Sequence, residues 1–212
     1  MLTAGPAVLW LGGVPVAGGG AAPAVVAAAP EVPQAPLRDA VPTPAVAPVA
    51  AAAAPAPPVA PPAPPVRIRV PDAGVDAPVV DSGVDVRGGM AVPHDIRTVG
   101  WYEFGAGPGA SAGSAVLAGH VDDRVQGFGA FHRLGDLSVG RPVQVELADG
   151  STVGYRVSTV ERVAKAALPV DRLFARDGAP RLVLVTCGGV FDPAAGGYTD
   201  NVVVTAEPEA GT

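Results

Sequence analysis

Leu182-Val183-Leu184-Val185-Thr186-Cys187-Gly188-Gly189 is the strongest apolar run in the chain, and its reading decides the fold. Alternating leucine and valine closed by threonine, bounded by a charged residue before and glycines after, is the pattern of a strand buried on both faces. Working outward, Ala115 to Ala118, Val143 to Leu147, Thr152 to Val163 and Val202 to Ala206 read as further strands. At the near end of the domain, Val66 to Val70 alternates apolar residues with Arg67 and Arg69, the period of a half-buried strand. Turn signals separate these runs: Pro71-Asp72-Ala73-Gly74, Gly105 to Gly109, Asp177-Gly178, and Asp149-Gly150, which predicts a tight hairpin. Only Ala130 to Leu137 and Pro169 to Phe174 read as short helices. Many short strands at this spacing predict an all-β barrel or sandwich, with closure favoured because a small domain leaves few edges open.

That pattern occupies only part of the chain. The first 65 residues hold 16 of the 25 prolines and three charged residues, Glu31, Arg38 and Asp39. Met1 to Pro30 is uncharged, long enough to raise a membrane span, yet interrupted by Pro6, Pro15, Pro23 and the Gly18-Gly19-Gly20 run. It reads as a weak anchor or export segment whose basic start lies upstream of Met1, as an uncleaved signal of unusual composition, or as more linker. Residues 31 to 65 are rich in Pro, Ala and Val, a composition that blocks regular pairing and predicts a disordered, extended spacer. At about 3.1 Å per residue such a segment reaches on the order of 100 Å. A folded domain is expected over residues 66 to 207, with 208 to 212 as a short tail.

Charge and cysteine content exclude several functions. The net charge is −6, and 13 of the 14 basic residues are arginines, with Lys165 the single lysine, a skew that reads as codon bias. No basic run exists to track phosphates, so nucleic acid is not expected as a partner. The lone Cys187 rules out an intramolecular disulfide. With no CxxC, no HExxH and no close histidine pair, no zinc site is expected, and no carboxylate cluster suggests calcium. Asp122 and Asp123 are adjacent and diverge on a strand, and the glycine-rich pieces lack the Lys-Ser/Thr of a phosphate loop.

Two residues remain for chemistry. Cys187 sits at the end of a buried strand with glycines behind it, a rigid yet approachable place for a nucleophile, although an unpaired cysteine is also a common buried packing residue. His120 likewise closes a strand, Ala115-Val116-Leu117-Ala118-Gly119. A histidine near a thiol can take its proton or favour the thiolate. The two meet only if the sheet aligns them. His94, in a loop beside Pro93, and His132, in a short helix, read as surface or packing residues.

Three segments, Leu117-Ala118-Gly119-His120-Val121-Asp122, Leu184-Val185-Thr186-Cys187-Gly188-Gly189 and Tyr198-Thr199-Asp200-Asn201-Val202-Val203-Val204, in this order and spacing, resemble the sortases, and more narrowly the class E and F sortases of actinobacteria. Val66 to Val79, Val99-Gly100-Trp101-Tyr102 and Gly127 to Leu137 also fit. The resemblance implies an eight-stranded sortase-type β-barrel and a cysteine transpeptidase that uses no cofactor. Cys187 would attack the Thr–Gly carbonyl of an LPxTG-type sorting signal on a secreted protein, and His120 would protonate the leaving amine. An amine of a cell-wall precursor or pilin would then resolve the thioacyl enzyme, at the outer face of the membrane of a high-GC Gram-positive type bacterium.

One position departs from the family. Twelve residues after the cysteine, where relatives carry an arginine that steadies the substrate carbonyl and oxyanion, this chain has Thr199, and no Arg or Lys follows Arg181. Thr186 and Thr199 are the hydroxyls next in line as substrate or oxyanion contacts, each able to give one neutral hydrogen bond. Arg124, Arg172 and Arg176, on other loops, are the alternative sources of that charge. A compensated enzyme, a slow one, and a degenerate sortase-like domain that binds sorting signals or acts as a surface scaffold are all compatible with these residues.

Overall fold

The computed structural model describes residues 61–194 and 196–209. The expectations for the anchor segment and for nearly all of the Pro/Ala spacer lie outside the described residues. Ten strands occur within them: β1 (Pro65–Val70), β2 (Val75–Ser82), β3 (Val99–Tyr102), β4 (Ser114–Ala118), β5 (Asp122–Asp123), β6 (Gly127–Phe128), β7 (Pro142–Leu147), β8 (Thr152–Ala164), β9 (Arg181–Asp192) and β10 (Gly197–Pro208). Eight of them close a barrel in the order β1-β2-β3-β4-β9-β10-β8-β7, while β5 and β6 form a separate two-stranded ribbon.

The antiparallel neighbours are joined by short turns or long strand-to-strand ladders, including the predicted Asp149-Gly150 hairpin between β7 and β8. Two pairs are parallel, β2 with β3 and β4 with β9. The second is a long crossover, since β5 to β8 intervene in sequence. β1 pairs on one side with β2 and on the other with β7, which closes the circle and removes the open edges.

Alternation along β9 divides its side chains between two cores. Leu182 and Leu184 point into the barrel with Leu117, Val202, Val204 and Ile68. Val183, Val185 and Cys187 point outward, where Val116, Ala118 and Val203 join them and Met90 and Leu173 cover them from connecting segments. A strand apolar on both faces is therefore what the position demands, and the run 182 to 186 supplies it.

Three boundaries differ from expectation. Cys187 does not end its strand, because β9 continues through Gly188-Gly189 to Asp192 and pairs with an equally extended β10. A bulge between Tyr198 and Asp200 sets Gly189 and Val190 of β9 against Thr199 and keeps the ladder going. The helix expected over Ala130 to Leu137 is reduced to a 3₁₀ turn at Leu134–Asp136, and that over Pro169 to Phe174 to the single turn α1 (Val170–Leu173). Segments this short do not sustain helix by themselves. Among the described residues no helix is long and apolar enough to cross a membrane.

Candidate active site

The parallel β4–β9 ladder relates the levels of His120 and Cys187 along the sheet. Its pairs run from Ser114 with Arg181 to Ala118 with Val185. The ladder is extended by one more bond, from the Gly119 N–H to the Val185 carbonyl at 3.1 Å. His120 lies two residues beyond Ala118, past the end of β4, and Cys187 two beyond Val185, within β9, so the two stand at equal offsets from the last ladder pair. Adjacent strands are about 4.8 Å apart.

The backbone around His120 is closely held. Its carbonyl accepts the Phe131 N–H at 3.0 Å, and the Phe131 ring stands 2.9 Å from where a β-carbon on Gly119 would be. Only glycine fits before this histidine. The ring Nε2 lies 2.9 Å from the Pro93 carbonyl oxygen. A carbonyl can only accept, so Nε2 carries the hydrogen and Nδ1 is left as the basic nitrogen of the neutral ring.

Cys187 is 6% exposed and sits directly opposite Asn201 on β10. Burial pushes its thiol above the usual range; the Lys165 ammonium pulls the other way, and the Asp122 carboxylate adds to the rise. The thiol is therefore the resting form, and deprotonation must accompany attack. On the rim, the Tyr198 hydroxyl donates to Asp122 Oδ2 at 2.6 Å. That bond, with lesser help from burial, pushes the Tyr198 phenol up to about 12.

The two threonines fall on different sides. Thr186 pairs with Val202, a barrel-interior residue, and its buried hydroxyl finds no partner among the described residues. Thr199 is exposed at the β10 bulge, and its hydroxyl accepts the Val190 N–H at 3.2 Å. The bulge needs Gly189, whose φ is +80°. Of the arginines considered as substitutes, Arg172 is paired with Glu161 at 3.0 Å.

Two residues at this site escaped the sequence reading. Asn201 is fully buried on the Cys187 side of the sheet, and neither its amide nitrogen nor its oxygen has a partner among the described residues. Lys165, at the end of β8, is the cation felt by Cys187. The first carried no signal beyond its alternation with Val203; the second was visible as the one lysine among 14 basic residues. His94 is exposed, and His132 stacks on Phe128 with ring centroids 5.2 Å apart, in keeping with surface and packing roles. Among the described residues no group of three or more His, Cys, Asp or Glu is placed to hold a metal ion.

A family model described as the sortase domain matches residues 68–209. Among solved structures, the chain is similar to sortase A from Corynebacterium diphtheriae, with 16% identity and a TM-score of 0.54 over 71% of this chain and 63% of that one. It is similar to sortase C1 of GBS Pilus Island 1 at 20% identity and a TM-score of 0.53, over 69% of this chain and 64% of that one. Sortase C-1 from Actinomyces oris gives 20% identity and a TM-score of 0.53, over 68% of this chain and 73% of that one. The chain thus spans 63% and 64% of the first two, a little under two thirds of their length. Comparison with curated proteins returns no match. At these identities the structural likeness speaks for the barrel; the family match, which runs from the middle of β1 past the end of β10, goes further, and by it the chain belongs to the sortase family.

Proposed function

We propose that this protein is a sortase-type cysteine transpeptidase of the class E/F kind, acting on an LPxTG-like sorting signal of secreted proteins. The observation that carries the proposal is the β4–β9 ladder, whose last pair, Ala118 with Val185, stands two residues before His120 in one segment and two before Cys187 in the other. In this reading the Cys187 thiol adds to the Thr–Gly carbonyl as its proton passes to Nδ1 of His120. Collapse of the tetrahedral adduct breaks the C–N bond, and the leaving glycine amine takes that proton from the imidazolium. The thioester keeps the acyl group activated, so an amine of a cell-wall precursor or a pilin can displace the sulfur and regenerate the thiol. The apolar surroundings of Cys187, with Val116, Val185 and Met90, favour aminolysis over hydrolysis by limiting water. No cofactor enters this scheme.

The composition of residues 1 to 65 supports a tethered enzyme, anchored in the membrane and extended toward wall substrates at the outer face of a high-GC Gram-positive type cell. A second reading, a sortase-like module that binds sorting signals with little turnover, is favoured by Thr199, whose hydroxyl is engaged with Val190 and carries no charge. Incubation with an LPxTG-type peptide, followed by intact mass, separates the two. The enzyme reading expects a thioacyl adduct in the wild type that is missing in Cys187→Ala. Peptide binding with no adduct over long incubation leaves the second reading standing.

A further inference from the structure

Addition of a thiol to a carbonyl places a negative charge beside a buried sulfur, and Asp122 already contributes one nearby. A cation is needed at this end of the barrel, and the position on β10 twelve residues after Cys187 offers only the neutral, exposed Thr199. The neighbouring strand supplies one. The last pair of the β8–β10 ladder joins Ala164 to Asp200, and Lys165 follows at once as the first residue of the 3₁₀ turn Lys165–Ala167. The ammonium is turned toward β10, with Nζ 3.6 Å from where a β-carbon on Gly197 would be. Lys165 is half-buried, and among the described residues it has no ion-pair partner. Of the other charged groups at this end, Asp122 is held by Tyr198, and Asp200 Oδ2 lies over Gly189.

We propose that Lys165 is a catalytic residue, its ammonium holding the oxyanion formed when Cys187 adds to the scissile carbonyl, so that the charge missing from position 199 on β10 is provided from across the ladder. The role rests on the transpeptidase reading above. A lysine suits the place, because β10 stands between the end of β8 and Cys187 on β9, and a flexible four-carbon stem carries a compact donor across it. The Coulombic pull of Lys165 on the Cys187 thiol agrees with this placement.

The test uses Lys165→Met, which keeps the stem and removes the charge, alongside Lys165→Arg and the double variant Lys165→Met/Thr199→Arg. Iodoacetamide alkylation across pH reads the charge at Cys187 without any substrate, and thioacyl formation with an LPxTG-type peptide reads the reaction. Lys165→Met is expected to move the alkylation midpoint up by about one pH unit and to slow acylation about a hundredfold. Lys165→Arg is expected to retain most of both, and the double variant to recover the acylation rate. An unmoved midpoint in a Lys165→Met protein with wild-type melting overturns the proposal. So does undiminished acylation by that variant. If the wild type itself forms no adduct while the midpoint still shifts, the transpeptidase reading and the oxyanion role fall together, and only a charge contact between Lys165 and Cys187 survives.

Discussion

Tyr198 and Asp122, 76 positions apart in the chain, are joined by a 2.6 Å hydrogen bond in the neighbourhood of Cys187. The bond ties the bulged start of β10 to the segment that follows His120. It also raises the phenol to about 12, chiefly because the carboxylate acceptor favours the protonated hydroxyl. Asp122→Asn is expected to bring Tyr198 back toward the ordinary tyrosine value of about 10, read by NMR titration of the tyrosine ring carbons. A midpoint that stays near 12 in the variant means that burial, and not the carboxylate, sets it.

The same carboxylate acts on the thiol. Removing a neighbouring negative charge makes it easier for Cys187 to become a thiolate, so Asp122→Asn should lower the alkylation midpoint. In the wild type that midpoint is expected above the ordinary thiol value of about 8.5, since burial dominates. Below it, each unit fall in pH should slow alkylation about tenfold. A wild-type profile already level at neutral pH contradicts the buried, protonated thiol.

Asn201 is the costliest polar group in this part of the sheet, fully buried with neither end of its amide paired among the described residues. An unsatisfied buried amide costs about 1–3 kcal/mol, and an apolar replacement of similar shape avoids the loss. Asn201→Leu is therefore expected to raise the urea midpoint without changing the slope. A lower midpoint identifies the amide as bonded to an ordered water that the leucine displaces.

Gly189 meets two demands at once. A β-carbon there would stand 2.5 Å from both the Thr199 hydroxyl and Asp200 Oδ2, and the backbone is left-handed. The conformational cost alone is about 1–2 kcal/mol. Gly189→Ala is expected to destabilise the domain by about 2 kcal/mol or more, measured by urea unfolding, and to slow acylation by shifting the bulge beside Cys187. Wild-type stability in this variant means that the bulge rearranges freely.

How much of this was legible beforehand differed by element. β1, β4, β7 and β8 stand out because their apolar residues alternate or run unbroken, and the Asp149-Gly150 turn marks its hairpin. β2 was not read as a strand, although its first residues alternate buried and exposed, because Pro78 removes a donor from the pattern; β3 is four residues long and holds Gly100. Long-range pairing, not local propensity, makes both into strands. Cys187 and His120 were legible as the residues that close two apolar runs. Their alignment was not, since it depends on the crossover between β4 and β9. The single lysine among arginines reads as base composition, and the place of Lys165 just past the Ala164–Asp200 pair is a property of the β8–β10 register, which no single segment reveals.

The β4–β9 ladder also separates what the chain can change from what it cannot. The pairing of Ala118 with Val185 is set by strand phase and not by the number of residues between β4 and β9. An insertion in the exposed Arg124-Val125-Gln126 turn or around Asp177-Gly178 alters that count and leaves the pair in place. A single deletion inside Leu182 to Thr186 does the reverse: it turns the cysteine into the barrel and brings a neighbour out in its stead. Indels of one residue in the loops and in the strand thus belong to different classes of change, the first neutral drift in length and the second a loss of the site.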